Sequence, residues 1–125
     1  MIVFVDTSAI LAILDEAEPN HLLADQIWQR LLDENDELFS TNYIVTEAVA
    51  VLQRRSGMPV IRAFIEQMVP VFQLEWIDRP VHMVAAQAFL LANRRQLSLV
   101  DCVSFVTMNR LAITTAFAFD QHFVQ

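Results

Sequence analysis

Four of the chain's 15 acidic residues stand where a carboxylate is costly. Asp6 directly follows the apolar run Ile2-Val3-Phe4-Val5, and Asp120 directly follows Thr115-Ala116-Phe117-Ala118-Phe119. Glu47 lies within Tyr43-Ile44-Val45-Thr46-Glu47-Ala48-Val49-Ala50-Val51-Leu52, and Asp101 within Leu97-Ser98-Leu99-Val100-Asp101-Cys102-Val103-Ser104-Phe105-Val106; both surroundings are apolar on nearly every side. Most other acids, among them Asp15, Glu16, Glu18, Asp33, Glu34, Asp36 and Glu37, sit in polar stretches and read as solvated helix ends and turns. An isolated buried carboxylate costs several kcal/mol unless a partner charge is supplied. Taken singly, each of the four reads as a helix cap or as the partner of an arginine. Taken together they read differently, because four converging carboxylates repel one another and raise some of their pKa values unless a cation is present. Oxygen-only ligation with several waters retained is what Mg²⁺ or Mn²⁺ prefers. Ions held this way orient a water, lower its pKa and stabilise charge developing on a phosphate.

Convergence needs elements that bring the four together. The β-branched run at residues 2–5 predicts a strand buried on both faces. It stops at Asp6-Thr7-Ser8, whose short oxygen-bearing side chains can cap a helix over residues 9–14. A helical period with polar residues interleaved covers 21–32. A short strand at 38–40 follows, and Thr41 or Asn42 can cap a helix over 43–55. Gly57 and Pro59 punctuate the chain before a helix from 59 to about 70. A third strand is expected at 71–77, helices at 80–93 and 100–111, and a fourth strand at 115–119. Alternating strands and helices predict one domain over residues 1–125, a three-layer α/β/α arrangement around a short, mainly parallel sheet of four or five strands. In such a sheet the carboxyl ends of the strands share one edge, and ligands bind in the crevice there. Asp6 and Asp120 belong on that edge, with Glu47 one turn into a helix that starts there and Asp101 at the start of another.

Composition excludes much else. With 55% hydrophobic and 18% charged residues, the chain is far from the disordered regime. The longest stretch without Asp, Glu, Lys or Arg covers only residues 80–93, short of the roughly 18–20 apolar residues of a spanning helix. No basic segment precedes the first strand, so no secretory signal is expected, and the lone Cys102 cannot form an internal disulfide. A reducing cytoplasm is the expected setting. All eight basic residues are arginines, which removes lysine Schiff-base chemistry and any P-loop lysine, and a single glycine, Gly57, builds no phosphate cradle. The net charge of −7 argues against a broad basic face for nucleic acid. A nucleic-acid substrate would need local neutralisation by divalent metal, aided by Arg54, Arg55, Arg94, Arg95 and Arg110. An acidic body also suits a partner with a basic segment.

The segments Val3-Phe4-Val5-Asp6-Thr7-Ser8-Ala9, the helix around Glu47, Leu97-Ser98-Leu99-Val100-Asp101 and Phe119-Asp120-Gln121-His122-Phe123 resemble the signatures of PIN domains. They occur in that order and at suitable separations over nearly the whole chain. The short length and the Phe-Asp-x-His-Phe ending are most similar to the VapC toxins of toxin–antitoxin pairs. The resemblance implies an Mg²⁺-dependent endoribonuclease, usually dimeric, restrained by a small antitoxin that inserts a basic or arginine-bearing segment near the acids. It implies that Asp6, Glu47, Asp101 and Asp120 form the acidic quartet, that Ser8 supports the first carboxylate, and that Asn42 lines the pocket. One departure stands out: family members usually continue into a last edge strand, whereas this chain ends at Gln125. Two alternatives correspond to it: the sheet has four strands, or the chain is truncated; in either case a partner can cover the exposed edge.

Two other readings compete with the nuclease. A catalytically silent PIN-like module could use its acidic pocket only to anchor a basic partner segment; the complete quartet favours the enzyme. An aspartate-nucleophile phosphatase would want a second Asp two residues after Asp6, where Ser8 stands, and a lysine, which is absent. His122 beside Asp120 invites a general-base role, although a packing or surface role suits it better.

Overall fold

The computed structural model describes residues 1–120. The expectations for His122, Phe123 and the chain end lie outside the described residues. Strand β1 (Ile2–Val5) leads into helices α1 (Thr7–Leu14) and α2 (His21–Asp33), then β2 (Glu37–Thr41) into α3 (Asn42–Arg55). Helix α4 (Met58–Ala63) continues through a π-helical turn (Phe64–Met68) and a 3₁₀ turn (Val69–Val71) to β3 (Gln73–Glu75). Helices α5 (Arg79–Ala92) and α6 (Leu99–Arg110) precede β4 (Ala116–Phe117). The described strands form one sheet in the order β3-β2-β1-β4, and every pairing is parallel.

Parallel neighbours require crossovers, and right-handed crossovers put α1 to α4 on one face and α5 with α6 on the other. The packing agrees with this. Helix α1 packs on α2 and α3, α3 on α4, and α5 on α6. One core gathers Phe4, Ile10, Trp28, Ile44, Leu52 and Phe64, and a second gathers Ala85, Leu97, Cys102 and Val103. Val3, Phe4 and Val5 are all buried, as expected for a strand covered on both faces. The chain is thus the mixed α/β domain expected from sequence.

Three boundaries differ from expectation, each for a physical reason. The helix expected at 59–70 widens at Phe64, where the Val69 N–H reaches back to the Phe64 carbonyl. Pro70 has no N–H to continue an α-helical ladder there, and the wider turn buries Phe64 and Met68 together. The strand expected at 71–77 shrinks to Gln73–Glu75, because Val71 belongs to the 3₁₀ turn and β3 is an edge strand paired on one side. The strand expected at 115–119 pairs only as far as Phe117. Its neighbour β1 ends at Val5, so beyond Phe117 no strand remains to pair with. No helix among the described residues is long and apolar enough to cross a membrane.

Candidate active site

The strand order reverses between β1 and β4: β1 leads outward to β2 and β3, while β4 returns to its other side. The crevice at such a switch point, outside the carboxyl ends, is where α/β sheets bind ligands. Asp6 occupies it. The residue is 3% exposed and caps α1, its carboxylate Oδ2 accepting the Ser8 N–H at 3.1 Å and the Ser8 hydroxyl at 2.6 Å. Its own N–H donates to the Phe117 carbonyl of β4 at 3.1 Å. The Ser8 Oγ also accepts the Phe119 N–H at 2.9 Å. Ser8 therefore supports the first carboxylate and also fastens the chain leaving β4 to the chain leaving β1.

Asp101 is 7% exposed at the third position of α6. Its Oδ2 accepts the Ser98 N–H at 3.0 Å while the Ser98 hydroxyl accepts the Asp101 N–H at 2.9 Å. This is a reciprocal capping box with Asp in the role more often taken by Glu. Asp6 and Asp101 thus both serve as helix caps, which does not account for their being neighbours. Burial pushes the Asp6 carboxyl up to about 6 from 3.8; the Ser8 hydrogen bonds oppose the rise and the charge of Asp101 adds to it. Two carboxylates thus sit within electrostatic reach of each other. Neither is in an ion pair with an arginine or histidine among the described residues, where the side-chain ion pairs are Arg55 with Asp15 and Glu18, and Arg62 with Glu66.

Glu47 and Asp120 are placed less tightly. Glu47 is half-buried one turn into α3, which begins at the carboxyl end of β2 and meets α6. Asp120 is half-buried and comes three positions after β4 ends, not directly after it; the Phe119–Ser8 bond holds that segment beside α1. Among the described residues no three of His, Cys, Asp and Glu stand close enough to hold a metal ion. What the structure brings together is the pair Asp6 and Asp101, with Glu47 and Asp120 on the same rim.

Asn42 is the first residue of α3, and its carboxamide oxygen accepts the Ile77 N–H at 2.8 Å. It ties the chain after β3 to the helix that carries Glu47. Thr41, not Asn42, caps α3, accepting the Ile44 N–H at 3.2 Å. Ser98 was missed as a supporting residue. A serine three positions before an acid at a helix start is the signature that could have found it.

Comparison with known proteins places the chain in a family. A model of the PIN domain matches residues 3–125. The chain belongs to the PIN-domain family. Among curated PIN relatives, the 23S rRNA-specific endonuclease VapC20 of Mycobacterium tuberculosis (strains CDC 1551 / Oshkosh and ATCC 25618 / H37Rv) is 26% identical over 122 residues, 97% of this chain and 91% of VapC20. The crystal structure of that organism's VapC20, described as a Sarcin-Ricin loop cleaving toxin, superposes with a TM-score of 0.84 at 27% identity, covering 98% of this chain and 92% of VapC20. The four-strand parallel sheet and its flanking helices thus match a PIN fold.

Proposed function

We propose that this PIN domain is a metal-dependent endoribonuclease of the VapC type, hydrolysing RNA phosphodiester bonds at the rim that carries Asp6, Glu47, Asp101 and Asp120. The observation that carries the reading is the buried pair Asp6 and Asp101, within electrostatic reach of each other and without cationic side-chain partners among the described residues, at the switch point of the sheet. The likeness to VapC20 over almost its whole length supports it.

The donor set fits Mg²⁺, with Mn²⁺ as a substitute. Mg²⁺ keeps several waters and is bound through one or two carboxylates plus substrate phosphate, not through an all-protein cage. Asp6 and Asp101 are the direct ligands in this proposal, and Glu47 and Asp120 complete the set through water or position the attacking water. Bound there, the ion supplies a lowered water pKa and neutralises charge developing on the phosphate. The protein's own residues do the rest. Ser8 keeps Asp6 ionised against its burial, since the hydrogen bonds it gives favour the charged form. The capping box orients Asp101, and Asn42 holds the start of α3 so that Glu47 keeps its place on the rim.

A small antitoxin with an arginine-bearing segment is the partner that an uncompensated acid pair would attract, since paired charges relieve the cost of burial. The exposed apolar side chains Met83, Val84, Leu90 and Leu91 of α5 support a homodimer. Both proposals go with a cytoplasmic protein. The test is cleavage of a mixed RNA pool in Mg²⁺ or in EDTA by the protein and its Asp6→Asn variant. Cutting that needs metal and is lost in the variant is expected. Cutting that survives both changes contradicts the proposal, and metal binding without any cutting turns the domain into the silent binding module.

A further inference from the structure

The carboxyl rim of the sheet also carries a large aromatic side chain in solvent. Trp76 directly follows β3 and is 71% exposed, whereas Trp28 is 7% exposed and packs edge-on against Phe72. A single exposed apolar side chain needs no explanation by itself. Three observations give this one a purpose. First, the strand register aligns it with the acids. Thr41 of β2 pairs with Glu75 of β3, and continuing the β1–β2 register from Phe4 and Phe39 sets Asp6 beside Thr41. Trp76 is thus one residue beyond the Asp6 row and two strand spacings away, about 10 Å. Second, its mount is fixed to the site, because the next residue, Ile77, donates its N–H to Asn42 at the head of α3. Third, the cleft that Trp76 lines is shared with Val81, Thr107 and Arg110. Arg110 is exposed and takes no part in the ion pairs of the described residues. Of the acids lining the cleft, Asp78 is engaged as the cap of α5 and Glu75 is exposed.

We propose that Trp76 is a stacking platform for an unpaired RNA base beside the cleaved bond, with Arg110 contacting the adjoining phosphate. Every base offers a π-face, so the platform selects unstacked RNA over duplex without reading sequence, and an arginine compensates locally for a chain of net charge −7. The inference rests on the nuclease reading above and deepens it.

Binding is measured in the Asp6→Asn background without metal, following tryptophan fluorescence as a mixed-sequence single-stranded oligoribonucleotide or a blunt RNA duplex is added. Cleavage kinetics are measured in the unmodified background with Mg²⁺. The single strand is expected to quench the emission and shield it from acrylamide, with much less effect from the duplex. Trp76→Ala, whose binding is read from the anisotropy of a dye-labelled oligoribonucleotide because the variant lacks the responding tryptophan, is expected to raise Kd and KM roughly ten-fold while kcat holds. Trp76→Phe is expected to recover most of the loss, and Arg110→Ala to weaken binding and flatten its salt dependence. Cleavage by Trp76→Ala with an unchanged KM overturns the platform and leaves the nuclease standing. A protein that cuts no RNA but whose emission the single strand still quenches loses the nuclease and keeps the platform. Emission that ignores RNA but responds to an arginine-rich peptide makes Trp76 a protein-docking residue and overturns the inference.

Discussion

Asp6 and Phe119 share one hydroxyl: Ser8 Oγ donates to the Asp6 carboxylate at 2.6 Å and accepts the Phe119 N–H at 2.9 Å. The two residues lie on chains that leave neighbouring strands, and Phe119 immediately precedes Asp120. One side chain therefore both opposes the burial-driven rise in the pKa of the first acid and fixes the path of the segment bearing the last.

Ser8→Ala removes both bonds and leaves the Phe119 N–H to find another partner. A loss of about 1–3 kcal/mol in unfolding free energy is expected, read from urea denaturation. The Asp6 carboxyl also loses its largest stabilising contact, so the acid limb of the pH–rate profile should move to higher pH. A variant with lower stability but an unmoved profile would show that Ser8 only holds the chain.

Asp6 also makes stability depend on pH. Its pKa is raised in the folded state, so the stability it contributes is full below the ordinary value of 3.8 and is lost as pH rises through about 6. Above pH 6 its ionisation costs up to about 3 kcal/mol. Asp6→Asn should therefore be more stable than the parent at pH 7.5 in EDTA, with the difference closing toward pH 4. Saturating Mg²⁺ should narrow the gap at pH 7.5 by stabilising the parent alone. Equal differences in melting temperature at the two pH values would contradict the account.

Ser104 stands fully buried in α6 with a hydroxyl that finds no hydrogen-bond partner among the described residues, while Thr107 in the same helix bonds back to the Val103 carbonyl at 2.7 Å. Ser104→Ala removes an unsatisfied group and improves helix propensity, so a gain of about 1 kcal/mol is expected. Differential scanning calorimetry measures it. A destabilised variant would mean that the hydroxyl has a partner.

Much of this arrangement was legible in the sequence. Asp6 and Asp101 stood out because charge in an apolar run needs a reason, and both prove buried. The strand–helix alternation sufficed for the parallel sheet and its edge. Geometry that depends on partners distant in sequence was not legible. The apolar run around Glu47 suggests a helix buried on nearly every side, yet α3 buries only Ile44, Ala48 and Leu52 and leaves Glu47 half-buried. Pattern alone could not say where β4 stops, because that is decided by the end of β1. Trp76 reads in sequence as one more apolar residue of a strand; only the shortening of β3 places it in solvent at the carboxyl edge of the sheet.

The proposed metal-dependent RNA-cleaving centre stands on the Asp6–Asp101 pair. Single-turnover cleavage at pH 7.5 over a range of Mg²⁺ concentrations, for the parent and Asp101→Asn, decides whether it does. The capping box survives in the variant, because an amide oxygen can still accept the Ser98 N–H, so folding is preserved and the charge alone is removed. A rate loss of at least about 100-fold that added Mg²⁺ does not restore is expected, of the order found when a group that stabilises the transition state is deleted. A variant that cleaves at close to the parent rate, with the same Mg²⁺ dependence, would contradict it.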